Sequence, residues 1–121
     1  MNGRRLVGLA AEEAAASILI ENGYTLVARN VRTRLGEIDI IARERNALAI
    51  IEVRSRRGAS VGIAAESVGP MKQRRLVKLA GAYVQSLKNP PDLWRVDVLA
   101  MALDAHGTLL GYELIRNAVE G

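Results

Sequence analysis

The apolar positions near the start of the chain follow a helical period. From residue 4 to residue 22 they recur three and four places apart, at Val7, Ala10, Ala11, Ala14, Ala15, Ile18 and Leu19. Gly23 comes next, and glycine accepts the left-handed backbone conformation that closes a helix. The pattern predicts an amphipathic helix over residues 4–22.

Three strands are predicted after this helix, over residues 24–32, 37–43 and 48–54. The second and third are rich in the Ile and Val that suit a half-buried pleated surface, and Gly36 opens the second. The short polar segment between them places the tip of a hairpin at Arg45-Asn46. Residues 55–69 carry several glycines and serines without a sustained period, which predicts a mobile loop.

A second helix is predicted over residues 70–88, because Pro70 suits its first turn and an apolar stripe follows. Residues 94–103 form a nearly continuous apolar run broken by Asp97, typical of a strand covered on both sides. A turn at residues 104–107 leads to a last strand over 108–115. The order α-β-β-β-α-β-β predicts an α/β fold, one mixed sheet flanked by helices, in a single domain spanning residues 1–121.

Composition narrows the function classes. The chain has no cysteine, which excludes disulfides and thiolate zinc sites. Its 17 basic and 13 acidic residues give a net charge of +4, which favours approach to a phosphate backbone without establishing it. Glu12-Glu13 interrupts the early apolar stretch, and no run reaches the ~18 apolar residues that a membrane span needs. We therefore expect a cytoplasmic protein that does not enter a membrane.

The hairpin carries the candidate chemistry. With its tip at Arg45-Asn46, Asp39 lies opposite Glu52, and Glu37 lies opposite Arg54. Opposed side chains have Cβ atoms roughly 4.5–5.5 Å apart, and like charges in that position are destabilising. A divalent cation would offset the repulsion, so the pair indicates a metal site. A loop one residue longer or shorter would separate the two acids.

The same residues allow a purely structural interpretation. Glu37 would pair with Arg54, while Asp39 and Glu52 would be solvated or bridged by nearby basic residues. Lys72, Arg75 and Lys78 on the second helix form either a solvated face or a track for a phosphate backbone.

Two segments resemble the YraN family of predicted endonucleases, namely residues 36–42, which read Gly-Glu-Ile-Asp-Ile-Ile-Ala, and residues 51–54, which read Ile-Glu-Val-Arg. That family is related to Holliday-junction resolvases in the restriction-endonuclease-like PD-(D/E)XK superfamily. The resemblance spans nearly the whole chain, and it includes Gly23-Tyr24, Asn30, Lys72-Gln73, Arg95-Val96-Asp97-Val98 and Asn117-Ala118. It implies a restriction-endonuclease-like fold.

The resemblance also implies an activity. Asp39 and Glu52 would ligate Mg²⁺ or Mn²⁺ in an endonuclease that hydrolyses DNA phosphodiester bonds, assisted by Glu12 from the first helix. The catalytic lysine of the superfamily falls on Arg54, and arginine keeps its charge and serves only as an electrostatic clamp. From their place on the basic face of the second helix, and not from the resemblance, Lys72 and Arg75 are expected to contact the DNA.

Alternatives stay open at this point. The chief alternative is a catalytically impaired nucleic-acid-binding protein of the same fold, and a third possibility is an interaction module without a nucleic-acid role. Branched DNA as substrate and a homodimer follow by analogy, since resolving a branch takes two cuts.

Overall fold

The structure is a computed structural model that describes residues 3–58, 62 and 68–119. In this part of the chain two helices and five strands follow one another as α1 (Gly3–Glu21), β1 (Thr25–Thr33), β2 (Gly36–Glu44), β3 (Ala47–Arg57), α2 (Pro70–Ser86), β4 (Leu93–Leu103) and β5 (Leu109–Val119). The predicted α/β class and element order are confirmed. Across the described ranges, neither helix is both long enough and apolar enough to cross a membrane.

The five strands form one mixed sheet in the order β1-β2-β3-β4-β5. β3 and β4 are parallel and joined through α2, and the other neighbours are antiparallel. The β2–β3 hairpin turns at Arg45, whose φ of 56° is the left-handed conformation of a tight turn. Its ladder runs from the pair Glu44–Ala47 to the pair Ile40–Ile51, which confirms the predicted tip and register.

Each face of the sheet is covered by one helix. The α2 face holds a buried cluster that includes Ile41, Leu48, Ile50, Val96, Val98, Leu76, Leu79, Ala80 and Val84. The α1 face holds a second cluster that includes Ala15, Ile18, Leu19, Ile40, Ala42, Ala49, Ile51, Leu99 and Met101. β3 and β4 contribute to both clusters, which explains why their sequences are apolar without alternation.

Several element ends differ from the sequence prediction. β3 continues to Arg57, so Ser55 and Arg57 pair with Met101 and Leu103 of β4 instead of lying in a loop. Main-chain hydrogen bonds to β4 maintain the strand there, although the side chains carry no strand pattern. α2 ends at Ser86, two residues early, and β5 runs on to Val119. The rest of the predicted loop, residues 59–61 and 63–67, lies outside the described residues.

A buried carboxylate ties the start of β4 to its neighbours. Asp97 has 0% of its surface exposed and accepts hydrogen bonds from the Tyr24 hydroxyl at 2.6 Å, Arg95 Nε at 2.9 Å and the Asn117 N–H at 2.8 Å. Burial and the bond to Asp97 raise the pKa of Tyr24 to about 12. Because all three donors would be left unpaired without it, Asp97 is a structural residue.

A second acid extends this network across the sheet. Glu44 pairs with Arg95 and, through two nitrogens, with Arg116 of β5, whose guanidinium lies 5.3 Å from the centre of the Tyr24 ring. The hydrogen bonds from Arg116 hold the pKa of Glu44 below its usual range. Glu44 ends β2, whereas Asp39 lies near its start, so this network is separate from the candidate site.

Candidate active site

The candidate site lies where β2 and β3 stop pairing. Their ladder ends at Ile40–Ile51, and continuing its register by one residue sets Asp39 opposite Glu52. There the Asp39 carboxylate, through Oδ2, accepts the Val53 N–H at 2.8 Å. A side-chain oxygen thus takes the place of a main-chain acceptor, and it fixes the carboxylate in the fork between the two strands.

The strands are distorted at this point. Ile38 and Ile41 both belong to the α2 cluster, whereas Ile40 belongs to the α1 cluster, so side chains do not alternate regularly around Asp39. On β1, Asn30 lies between the residues paired with Ile38 and Ile40 and has a φ of 51°. A non-glycine residue in this conformation is strained, and such strain concentrates at functional sites. The simple alternation that predicted one shared face for Glu37, Asp39 and Ile41 does not hold.

Glu52 is buried, with 7% of its surface exposed. Its Oε1 lies 3.1 Å from Lys72 Nζ, in the first turn of α2, and 3.7 Å from Arg54 Nη1. Of the two possibilities in the structural interpretation, solvation of Glu52 is therefore wrong, and bridging by nearby basic residues is what the structure shows. A buried carboxylate needs a cation or several hydrogen bonds, and here basic side chains provide the cation.

The two acids influence each other. Burial, together with the charge of Glu52 and a hydrogen bond between the two carboxyl groups, raises the pKa of Asp39 to about 6, although the Val53 N–H acts to lower it. A shift of this origin shows that Asp39 resists ionisation beside Glu52. A cation shared by the pair would remove that resistance.

Asp39→Asn is expected to stabilise the metal-free protein at alkaline pH. The pKa of Asp39 is higher in the folded chain than the ~3.9 of an unfolded one. Its protonation therefore stabilises the folded state fully below pH 4, and this stabilisation is lost as the pH rises through about 6. Asparagine stays neutral and can still accept the Val53 N–H. A pKa raised this far corresponds to at most about 3 kcal/mol, and because the carboxyl is partly solvated we expect roughly 1–2 kcal/mol.

Urea unfolding in chelator at pH 4 and pH 8 measures this effect. The variant and the wild type should agree at pH 4, and the variant should be more stable at pH 8. Asp92→Asn is the matched control, because Asp92 is exposed just before β4 at the opposite end of the sheet. A variant less stable than wild type at pH 8 would contradict the strain attributed to this acid pair.

A cleft of about 240 Å³ opens beside Asp39. Its apolar lining comes from Ala11, Ala15, Ile40, Val53 and Met101, and its polar lining from Glu12, Arg29, Asn30, Asp39 and Ser55. Glu12 of α1 thus shares a cleft with Asp39. Sequence reasoning did not select Arg29 or Ser55, because neither belongs to a pattern, and it noted Asn30 only within the resemblance.

The donor set suits a hard cation. Mg²⁺ needs one or two carboxylates and completes its octahedron with water and phosphate oxygens, and Asp39 with Glu52 offers two carboxylates in contact. Glu12 lines the cleft without closing a three-acid cage, since the described residues contain no group of three acids or histidines placed to hold a metal ion. The residues fit a two-carboxylate site.

The basic residues singled out from the sequence occupy different environments. Arg54 is half-buried and paired with Glu52, and Lys72 is the nearer partner of the same oxygen. Arg75, three residues further along α2, is exposed. Lys72, predicted as a DNA contact, therefore lies against Glu52, whereas its place on a basic helix face indicated only an exposed position.

Comparison with known proteins identifies the relatives of the chain. Residues 11–101 match the model of the uncharacterised protein family UPF0102. A UPF0102 protein of Symbiobacterium thermophilum is 45% identical over 94% of this chain and 96% of its own length. One from Caldicellulosiruptor saccharolyticus is 38% identical over 98% and 99%, and one from Roseiflexus castenholzii is 41% identical over 99% and 98%. The chain belongs to the UPF0102 family, which is the YraN family that its sequence resembles.

Proposed function

We propose that this protein is a metal-dependent DNA endonuclease that hydrolyses phosphodiester bonds, with Asp39 and Glu52 holding Mg²⁺ or Mn²⁺. The observation that carries the proposal is the pair of carboxyl groups in contact at the strand fork, one buried and the other with a pKa raised to about 6. Two acids kept together at a cost in stability are typical of functional sites. The reaction class comes from the resemblance of this chain to a family of predicted endonucleases.

The surrounding residues have distinct tasks in this reaction. Asp39 and Glu52 would hold the divalent ion, which would supply polarisation of the scissile phosphate and support for attack by water. Glu12, on the cleft wall, accepts a hydrogen bond from the attacking water and orients it. Arg54 holds a phosphate oxygen through its planar fork of donors.

The charge around the site favours a polyanion. β1 ends, β2 begins and β3 ends at the same end of the sheet, and α2 begins beside it. Exposed basic side chains belong to these segments, namely Arg32, Arg34, Arg56, Arg57, Arg74 and Arg75. Such a concentration attracts a phosphate backbone and raises its association rate. DNA is the proposed partner, and a homodimer would allow paired cuts in a branched substrate.

A cleavage assay tests the proposal. Linear, nicked and four-way DNA are incubated with wild type in Mg²⁺, in Mn²⁺ and in chelator, alongside the control Asp92→Asn. We expect cutting in either metal, none in chelator, and wild-type rates for the control. A pure, folded protein that cuts none of the three DNAs in either metal would overturn the nuclease assignment.

A second candidate function rests on Arg54. Arginine stands where the superfamily has lysine, and arginine binds phosphate but does not act as a base. In this second function the site binds phosphate and no longer hydrolyses it. That protein would bind DNA in a salt-sensitive way without cutting it. An Arg54→Lys variant that gains cleavage would then identify Arg54 as the cause of the loss.

A further inference from the structure

The cation nearest to the buried acid comes from a helix. Lys72 Nζ lies 3.1 Å from Glu52 Oε1. Arg54, two residues after Glu52 on β3, has its Nη1 3.7 Å from the same oxygen. The Lys72 side chain is 36% exposed and Glu52 only 9%. Lys72 therefore contacts the buried acid while its own side chain stays partly open to solvent.

The position of Lys72 is unfavourable for the helix itself. α2 begins at Pro70, has no acidic residue in its first turn, and has as its N-cap Gly69, which offers no side chain to the first N–H groups. The start of a helix is the positive end of its dipole, where acidic side chains stabilise and basic ones do not. A lysine in this turn thus serves a contact outside the helix, and Glu52 is that contact.

Arg54 and Lys72 differ in what they can do next. The Arg54 side chain is 21% exposed and ends in a rigid, planar guanidinium. The ammonium of Lys72 is compact, has three donors on a flexible stem, and is closer to solvent. When Glu52 takes another partner, Lys72 is the side chain that can transfer its hydrogen bonds to an incoming phosphate oxygen.

We propose that Lys72 is a catalytic residue of this site, which neutralises Glu52 in the metal-free protein and contacts a non-bridging oxygen of the scissile phosphate during cleavage. The inference rests on the proposed nuclease function. It separates Lys72 from the exposed Arg74 and Arg75 of the same helix, which contribute to binding of the DNA backbone.

Two variants of α2 provide the test. Lys72→Met removes the ammonium at Glu52, and Lys78→Met removes the same charge from an exposed position of the same helix. Single-turnover cleavage separates the rate at saturating DNA from the DNA concentration that gives half the maximal rate. Titration of Mn²⁺ alone into the DNA-free proteins, and thermal unfolding in chelator, give two readouts that do not depend on activity.

We expect Lys72→Met to lower the saturating rate by about a hundredfold, with the half-saturating DNA concentration changed less than about threefold. It should bind Mn²⁺ severalfold more tightly than wild type, because no ammonium then competes for Glu52. Lys78→Met should keep the wild-type saturating rate and Mn²⁺ affinity.

The results separate this inference from the proposed function. An inactive wild type overturns both. An active wild type with Lys72→Met cleaving like Lys78→Met overturns the role of Lys72 alone. A variant that melts earlier but cleaves at the wild-type rate while folded, with unchanged Mn²⁺ affinity, also overturns it and makes the Lys72–Glu52 pair structural.

Discussion

Replacing Asp39 with asparagine is expected to lower the rate of metal-dependent DNA cleavage by about a thousandfold or more. The substitution removes one of two carboxylates in contact at the strand fork and keeps the acceptor for the Val53 N–H. A metal held by one carboxylate supplies less charge stabilisation in the transition state, and several kcal/mol lost there corresponds to about this factor. Single-turnover rates at saturating DNA and a range of Mn²⁺ concentrations measure it.

Loss of fold is controlled within the same variant. Asp39→Asn is expected to be more stable than wild type in chelator at pH 8, so reduced cleavage together with increased stability would assign the defect to the site. Asp92→Asn should cleave like wild type. A variant that keeps more than about a tenth of the wild-type rate would show that Asp39 is not a ligand of the reacting complex.

Replacing Asp97 with alanine is expected to lower the free energy of unfolding by about 3–5 kcal/mol. The carboxylate is completely buried and accepts from Tyr24, Arg95 and Asn117, so its removal leaves a cation and two further donors without their acceptor. Urea unfolding with the transition followed by far-UV circular dichroism measures the change.

Asp92→Ala is the matched control for this experiment. Asp92 is exposed five residues earlier in the chain, and its loss should change the free energy of unfolding by less than about 0.5 kcal/mol. A decrease of under about 1 kcal/mol for Asp97→Ala would contradict the structural role given to the network. It would instead direct attention to Asp97 as part of a second functional site.

The hairpin shows how much of the site could be predicted from sequence. Polar residues at the tip and apolar residues on both sides define the register of β2 and β3, because a slip by one residue would turn Ile40 and Ile51 to the wrong faces. That register sets Asp39 opposite Glu52. The placing of positions 39 and 52 opposite each other could thus be predicted from local pattern, whereas the break in alternation around Asp39 could not.

Other features depend on contacts that are distant in sequence. Arg57 remains in a strand because β4 offers it a partner in Leu103, and nothing near Arg57 in the chain signals this. Asn30 of β1 adopts a left-handed conformation beside the point where the side chains of β2 stop alternating between the two faces of the sheet. Lys72 approaches Glu52 only because α2 packs across β3. Each arises from tertiary packing, which a one-dimensional pattern does not record.

The resemblance and the structure assign different roles to the family-like segments. Arg95, Asp97 and Asn117 form a network with Tyr24 and Glu44 far from the strand fork, and it stabilises the sheet. Asp39 and Glu52 instead oppose each other, at a cost to the metal-free fold. The pKa of Asp39 is raised, whereas that of Glu44 in the network is lowered, and this difference marks the strand fork as the candidate site.

Calorimetric titration of Mn²⁺ into the DNA-free protein at pH 7.5 tests the shared-cation claim most directly. We expect binding to wild type and to Asp92→Asn, and an affinity lower by at least about tenfold in both Asp39→Asn and Glu52→Gln. We also expect the wild-type affinity to fall as the pH is lowered through about 6, since protonated Asp39 cannot ligate the ion. Mn²⁺ affinity that is unchanged in either site variant would contradict the claim.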